Sequence, residues 1–289
     1  MTVRRIGNAT IEKVEELCAA GFRPNRMFPK FDQAAFDAQK HWMVPVHVEA
    51  GSDRLVGSVH TWVVKTGRHT ILIDTCLGNH KQRHNAAWNN LDTPFLNRLR
   101  ACVCPPESVD FVMCTHLHVD HVGWNTMLVD GRWIPTFPNA RYLLAQKEWN
   151  YWDANEAESG YGPVISDSVR PIIEAGLVDL IAEDAVICPE VRLEPTPGHT
   201  PGHVSVHITS AGQEALITGD CIHHPCQMSR LDWCSSADFD QGQGEQTRND
   251  LLARYVDSKV LVIGTHFATP TAGHVKHRAE GGYWLDVGS

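Results

Sequence analysis

The segment 115–121 constrains this chain more than any other, because it places three histidines and one aspartate within six residues. It directly follows an apolar run that is typical of a buried strand, and side chains at the exit of a rigid strand are held firmly enough to bind a metal ion. His116 and His118 alternate with apolar residues and can point the same way. Asp120 and His121 are adjacent and can point elsewhere. This arrangement favours two neighbouring metal ions over one.

Polar residues that can bind metal also follow other apolar runs. Asp74, Asp220 and His266 each close a short run that is typical of a buried strand. His199 lies in residues 196–203, a loop whose prolines and glycines suit a histidine held outside regular structure. A solvated turn would also bring histidines together, since the chain has 17 of them. The recurrence of such residues after several apolar runs favours a single site, because strand ends on one edge of a sandwich converge.

Composition limits the classes of partner. The 289 residues contain no repeat, linker or low-complexity tract, which predicts a single domain over residues 1–289 with an N-terminal arm at about residues 1–41. A net charge of −9 without a basic stripe argues against nucleic acid or an anionic membrane as a partner. The charged N-terminus and the lack of a long apolar run predict a cytoplasmic protein. Nine cysteines without C-x-x-C spacing predict reduced thiols.

Short runs rich in β-forming residues occur both in groups and in alternation with helical patterns. This mixture predicts layered α/β packing with helices on the outer sides of the sheets. The predicted strands cover residues 42–48, 58–66, 70–74, 109–114, 141–145, 190–194, 203–209, 215–218 and 260–265. The predicted helices cover residues 93–102, 147–155, 162–175 and 243–256, with a short helix near residues 32–40.

The order of four motifs resembles that of the metallo-β-lactamase superfamily. These are the segment 115–121, then Gly198-His199, Gly219-Asp220 and Gly264-Thr265-His266. The resemblance covers residues 42–274, nearly the whole chain. It implies an α/β fold of the four-layer αββα sandwich type, with the functional site at one edge of the two sheets.

The resemblance also implies seven metal ligands divided between two ions that share one carboxylate. They are His116, His118 and His199 for one ion, Asp120, His121 and His266 for the other, and Asp220 as the bridge. Asp74 matches an aspartate that orients a ligand histidine. Five imidazoles and two carboxylates suit two divalent metal ions, of which Zn²⁺ is the default. Such a pair shares a hydroxide that attacks a carbonyl carbon or a phosphorus centre.

The residue at position 223 narrows the branch of the superfamily. The N-acyl-homoserine lactonases have a tyrosine three residues after the bridging aspartate, whereas this chain has His223. An aspartate followed by such a histidine, together with residues 266–273, resembles the methyl parathion hydrolase-like branch, which includes lactone, ester and phosphotriester hydrolases. We interpret His223 as a catalytic group that contacts the substrate oxygen or relays a proton. Asp120 is the other candidate for relaying the proton. A histidine held by nearby backbone is the alternative.

The substrate pocket is predicted from the position of bulky side chains near these motifs. Trp124 follows His121 by three residues, and the other candidates are Phe28, Phe267 and His274. Each of them is also compatible with an ordinary packing or structural role. The expected partner is a small-molecule ester or lactone, and relatives of this kind are often homodimers.

The leading hypothesis is a dinuclear zinc hydrolase that opens a lactone or cleaves a carboxylic ester. A second hypothesis keeps the site and takes a phosphotriester as substrate. A third, from another class, is a mononuclear iron oxygenase that uses the same ligands. A non-catalytic binding protein with this fold is the fourth, and the complete ligand set argues against it.

Overall fold

The computed structural model describes residues 3–288, apart from the side chains of residues 158 and 159. The strands are β1 (Val3–Ile6), β2 (Ala9–Phe22), β3 (Leu55–Lys65), β4 (Thr70–Ile73), β5 (Phe111–Met113), β6 (Thr126–Val129), β7 (Arg132–Pro135), β8 (Arg141–Ala145), β9 (Val178–Ile181), β10 (Val186–Cys188), β11 (Val191–Pro195), β12 (Val204–Ser210), β13 (Gln213–Ile217), β14 (Leu261–Ile263), β15 (Ala272–His277) and β16 (Tyr283–Asp286). The helices are α1 (Pro24–Met27), α2 (Gln33–Asp37), α3 (Lys40–Met43), α4 (Phe95–Ala101), α5 (Gln146–Asn155), α6 (Val164–Ser168), α7 (Arg170–Glu174) and α8 (Gln241–Tyr255).

The chain folds into two compact units. The first comprises residues 3–16 and 59–185, and the second comprises residues 17–58 and 186–288. Among the described residues, no helix combines the length and the apolar character needed to cross a bilayer.

The first unit is built on a sheet in the order β1-β2-β3-β4-β5-β8-β9, to which β2 contributes residues 9–16 and β3 contributes residues 59–65. Strands β4, β5, β8 and β9 are parallel to one another, and β3 is antiparallel to β4. The side chains of Ile71, Leu72 and Ile73 in β4 are fully buried, as is usual for a parallel strand covered on both faces. Because β4 and β5 are parallel, the residues that follow them, including Asp74, lie at the same edge of the sheet.

The second unit is built on a sheet in the order β10-β11-β12-β13-β14-β15-β16. Only β13 and β14 are parallel to each other, so the residues after both strands lie at one edge. Helix α8 is capped by Asp240, whose side chain accepts a hydrogen bond from the backbone of Gln243. Its residues Leu251, Leu252 and Tyr255 belong to a buried cluster with residues of the sheet.

Most of the predicted strands and helices match the structure within a few residues. The strand predicted at residues 42–48 is wrong. That segment contains the end of α3 and a turn, and Pro45, which lacks a backbone N–H, lies two residues after Met43, the last residue of the helix. The helix predicted at residues 162–175 is two short helices, α6 and α7, with Pro171 in the first turn of the second.

The prediction missed the hairpin β1–β2 within the N-terminal arm and the strands β6, β7, β9, β10, β15 and β16. The prediction of a single domain stays a prediction.

Candidate metal centre

In the first unit, the segment after β5 brings four predicted residues together as the first histidine cluster, which comprises His116, His118, Asp120 and His121. The ring centroid of His116 lies 4.6 Å from that of His118 and 4.0 Å from that of His121. The His121 Nε2 atom lies 3.6 Å from Asp120 Oδ1. His116 and His121 are fully buried. Four groups that bind divalent metals therefore share one small, largely buried volume.

Asp74 holds this cluster from the adjacent strand. Its Oδ2 atom lies 2.9 Å from His121 Nδ1, and its Oδ1 atom accepts a 2.7 Å hydrogen bond from the backbone N–H of Thr115. Asp74 has a φ of +59°, a left-handed conformation that aspartate tolerates better than most residues. A carboxylate on Nδ1 directs the hydrogen to that nitrogen and leaves the Nε2 lone pair for a metal. Asp74 thus contacts a predicted ligand histidine, and its role toward a metal ion stays a prediction.

Glu148, in the first turn of α5, supports the first histidine cluster and was missed by the sequence analysis. Its Oε1 atom accepts hydrogen bonds from the backbone N–H of Leu117 at 3.0 Å and from Trp152 Nε1 at 2.7 Å. The Trp152 ring packs edge-on against His118, with centroids 5.3 Å apart. Glu148 therefore fixes the backbone between His116 and His118.

In the second unit, the ends of β13 and β14 and the loop after β11 form the second histidine cluster, which comprises His199, Asp220, His223 and His266. The Asp220 carboxylate lies at its centre. Its Oδ2 atom is 3.4 Å from His199 Nε2 and 3.2 Å from His223 Nε2, and its Oδ1 atom is 3.1 Å from His266 Nε2. One buried carboxylate thus faces the same nitrogen of three imidazoles.

The other ring nitrogens of two of these histidines are already engaged. The His199 Nδ1 atom lies 2.8 Å from Asp238 Oδ1, and the His266 Nδ1 atom lies 3.0 Å from the carbonyl oxygen of Ser58. Both partners are acceptors, and a hydrogen on each Nδ1 leaves the Nε2 lone pair for a metal ion, with the Asp220 carboxylate as the competing acceptor at each Nε2. His199, His223 and Asp238 also have donor atoms within 4.8 Å of one another, a grouping that could hold a metal ion.

His223 is held by its backbone and buried by its surroundings. Its backbone N–H donates to Gln227 Oε1 at 2.8 Å, and the same oxygen accepts from the backbone of His224 at 3.1 Å. Burial lowers the pKa of His223, against the opposing effect of the Asp220 carboxylate. The ring is therefore neutral at pH 7. His224 itself points elsewhere, because its Nε2 atom lies 2.8 Å from the carbonyl oxygen of His47.

Asp238, which the sequence analysis did not single out, is buried beside His199. Burial by itself would raise the pKa of Asp238, but the hydrogen bond from His199 and the nearby charges outweigh it, and the pKa lies below its usual value. The carboxylate is therefore ionised at neutral pH. No strand-end pattern marks this position, because Asp238 lies in the loop that precedes α8.

The four predicted pocket residues are all wholly or partly buried. In the first unit, Trp124 donates from Nε1 to Glu16 Oε1 at 2.6 Å and stacks on Phe95. In the second unit, Phe28 stacks on Trp233 with centroids 5.9 Å apart, and Phe267 belongs to the core cluster around α8.

His274, the fourth, is partly buried and lies with Nδ1 at 3.1 Å from the carbonyl oxygen of Val260. These contacts are sufficient to explain the burial of each residue by packing or by hydrogen bonding to its neighbours. A role in the pocket stays a prediction for all four.

Gly198, which precedes His199, permits the close approach of α8 to the loop. Its φ is +132°, and a Cβ atom there would lie 2.4 Å from the Cα and N atoms of Gly244. We expect Gly198→Ala to reduce the free energy of unfolding by roughly 2–6 kcal/mol, the combined cost of backbone strain and overpacking. Urea unfolding measures this change.

Gly212→Ala is the matched control, since Gly212 has a φ of +77° and nothing within 4 Å of the added Cβ. It should lose only about 1–2 kcal/mol. If the two variants were equally stable, close packing at Gly198 would not be the cause.

Comparison with known proteins identifies the family of this chain. A sequence profile described as the metallo-beta-lactamase superfamily matches residues 54–266. The chain belongs to the metallo-beta-lactamase superfamily. It is 25% identical over 175 residues to an N-acyl homoserine lactonase from Bacillus sp, which covers 56% of this chain and 63% of that protein. It is 28% identical over 238 residues to the lactamase-like protein nscB of Trichophyton rubrum, which covers 78% of this chain and 55% of that protein.

The chain therefore spans less than two thirds of the length of these curated relatives. Solved structures match over more of it. The crystal structure of the hydrolase AbOPH, in the beta lactamase superfamily, matches with a TM-score of 0.81 at 23% identity and covers 99% of this chain and 97% of that one. The dizinc quorum-quenching lactonase AidC matches with a TM-score of 0.76 at 18% identity and covers 100% and 97%. The predicted metallo-β-lactamase fold is thus confirmed.

Proposed function

We propose that the protein is a metal-dependent hydrolase that holds two divalent cations, most simply Zn²⁺, and opens a lactone or cleaves a carboxylic ester. One observation carries this proposal: Asp220 faces the Nε2 atoms of three histidines, of which His199 and His223 are buried and His266 is partly buried. The ligands we propose are His116, His118 and His199 for one ion, Asp120, His121 and His266 for the other, and Asp220 shared by both.

The chemistry of the donors supports this assignment. His121, His199 and His266 each have Nδ1 within hydrogen-bond distance of an oxygen of the chain, and this leaves Nε2 as the donor for a metal. Imidazole nitrogen together with carboxylate oxygen suits borderline divalent ions, and zinc above all. These groups are costly to bury without a cation between them, because carboxylates and imidazoles lose hydration on burial. The residues present therefore fit a dinuclear site.

Divalent cations bound to such donors lower the pKa of a bound water toward about 7 and polarise a substrate carbonyl. The residues of the chain then handle the proton. The side chain of Asp120 is 15% exposed, and we propose that it accepts the proton as the water oxygen attacks the carbonyl carbon. The proton passes to the alkoxide when the carbon–oxygen bond breaks. Asp220 keeps the ligand histidines in position throughout.

We propose that His223 hydrogen-bonds to the substrate oxygen. Its side chain is nearly buried, and its Nδ1 atom has no hydrogen-bond partner within the described part of the chain. A neutral, fixed imidazole with its hydrogen on Nδ1 can donate to an oxygen on which negative charge develops, and such donors are effective because they are oriented before the reaction starts. This role requires the Asp220 carboxylate to be engaged by the cations, since it otherwise draws the hydrogen to Nε2 at 3.2 Å. The substrate class rests on the curated relatives, several of which are N-acyl homoserine lactonases.

A panel of substrates tests the proposal. The protein would be loaded with Zn²⁺, and kcat/KM would be measured on N-acyl homoserine lactones, simple lactones, aryl esters and aryl phosphotriesters. We expect the best lactone or ester to exceed the best phosphotriester by about tenfold or more. Removal of metal by a chelator should abolish turnover, and Zn²⁺ should restore it.

Each rival function has its own signature in the same assays. A preference for phosphotriesters would make the substrate class wrong and leave the site intact. A single bound iron together with oxygen consumption would show that the protein is an oxygenase and not a hydrolase. Full turnover by the chelated protein would contradict a metal-dependent mechanism.

A further inference from the structure

Arg248 connects the two parts of the second unit that carry His199 and Asp220. It lies in α8, and its side chain is 1% exposed. Its Nε atom donates a 3.0 Å hydrogen bond to the carbonyl oxygen of Cys221, the residue after Asp220. Its NH2 atom lies 3.7 Å from Asp238 Oδ2. One guanidinium group thus contacts both the turn that carries Asp220 and the carboxylate that contacts His199.

Asp238 is fixed on both of its oxygens. Oδ1 lies 2.8 Å from His199 Nδ1, and Oδ2 accepts a 2.9 Å hydrogen bond from the backbone N–H of Ser235. The side chains of Asp238 and His199 are 1% and 2% exposed, so water does not compete for these contacts. A buried carboxylate held at both oxygens has one position, and it imposes that position on the ring it contacts.

The loop that carries His199 is also clamped by the segment around Asp238. The backbone N–H of Phe239 donates to the carbonyl oxygen of His199 at 3.0 Å, and that of Asp240 donates to the carbonyl oxygen of Gly198 at 2.9 Å. In α8, the Thr247 hydroxyl donates to the carbonyl oxygen of Pro197 at 2.6 Å. The backbone therefore allows His199 little movement, and its remaining freedom is the rotation of the ring and the location of its hydrogen.

We propose that Asp238 and Arg248 are positioning residues that set the tautomer of His199 and its distance from Asp220. Asp238, at 2.8 Å, keeps the hydrogen of His199 on Nδ1 in competition with Asp220, whose Oδ2 atom lies 3.4 Å from Nε2, so that the Nε2 lone pair stays available to a metal ion. Arg248 contacts both Asp238 and the turn that carries Asp220, and so holds them at a fixed distance from each other. This inference rests on the proposed function where it concerns metal binding, but the tautomer of His199 is a property of the metal-free protein as well.

The variant Asp238→Asn tests the inference, because it keeps the shape of the side chain and removes its charge. In the metal-free protein, ¹⁵N NMR of the imidazoles should show the His199 hydrogen on Nδ1 in the wild type and its partial or complete transfer to Nε2 in the variant. The His199 signals are identified by their loss in His199→Gln. Competition with a chromogenic chelator should show that the affinity for Zn²⁺ falls by about 10–100-fold.

Asp167→Asn is the matched control, since Asp167 is also a buried carboxylate paired with an arginine, Arg83. It should change neither the His199 tautomer nor the affinity for Zn²⁺, even if it lowers stability. An unchanged tautomer in Asp238→Asn, or an affinity within about twofold of the wild type, would overturn the inference.

A second variant covers the case in which Asp238→Asn does not fold, as judged by circular dichroism. A lysine in Arg248→Lys has one nitrogen and cannot reach both the Cys221 carbonyl and Asp238. The folded variant should lose Zn²⁺ affinity by about tenfold or more, and unchanged affinity would overturn the inference. If the wild type binds no Zn²⁺, the proposed function fails, and the tautomer measurement still decides the role of Asp238.

Discussion

Asp220→Ala is expected to remove at least one of the two proposed metal ions and to lower kcat/KM by about 10³-fold or more, an effect typical of losing a fixed electrostatic group in an active site. The physical reason is geometric. Asp220 faces the Nε2 atoms of His199, His223 and His266 at 3.1–3.4 Å, and its removal leaves these rings without their shared carboxylate. Elemental analysis of the purified variant measures the metal content, and the lactone assay measures the rate.

Asp232→Ala is the control in the same unit. Asp232 pairs with Arg230 by a 2.9 Å contact between half-exposed side chains, an arrangement that contributes little to stability. It should keep its metal and its rate. An Asp220→Ala protein that retained two ions and full turnover would refute the shared carboxylate.

The sequence indicated the candidate metal ligands but not the residues that hold them in place. The strands β4, β5 and β14 and the second half of β13 are short and apolar, and a candidate metal ligand or its aspartate partner follows each of them within three positions. Because β4 and β5 are parallel, and β13 and β14 are too, this pattern predicts which residues meet at a sheet edge. Within each unit the structure brings together the residues that the pattern indicated.

The residues that the sequence analysis missed lack such a pattern. Glu148 lies in the first turn of a helix and Asp238 lies in a loop, and each contacts a segment more than 30 positions away in the chain. Only tertiary structure brings a lone carboxylate to its histidine or backbone partner, so no local spacing reveals it. The hairpin β1–β2 was missed for a different reason, since charged residues fill much of β2 and its buried residues keep a spacing of two only within the pairs Ala9/Ile11 and Val14/Glu16. The overall charge concealed the period of two.

A large loss of stability is also expected at Asp167 in the first unit. Its carboxylate accepts two hydrogen bonds from Arg83, at 2.6 and 2.9 Å, and lies 3.4 Å from Lys81 Nζ. The side chains of Lys81 and Arg83 are 0% and 1% exposed. Asp167→Ala leaves the Arg83 cation, and Lys81 when it is protonated, buried without their counter-ion, and this should lower the free energy of unfolding at pH 6 by about 3–5 kcal/mol, as measured by urea unfolding.

The size of this loss should depend on pH through Lys81. Burial lowers the pKa of Lys81 to about 7, and the Asp167 carboxylate opposes that effect. The unfolded chain therefore binds more protons than the folded chain between about pH 7 and the ordinary lysine pKa of about 10.4, so stability rises with pH across that window. Without Asp167 the pKa falls further, and the variant should lose more stability at pH 6 than at pH 10, where Lys81 is neutral in the folded state of both proteins.

Asp179→Ala separates this effect from the loss of any aspartate–arginine pair. Asp179 pairs with Arg141 in the same unit, but their side chains are 45% and 39% exposed, and pairs of this kind are worth about 0–1 kcal/mol. The control should therefore change little and show no such trend with pH. If Asp167→Ala were as mild as Asp179→Ala, the two buried cations would have another means of compensation, and the carboxylate would not be what keeps Lys81 and Arg83 in the core.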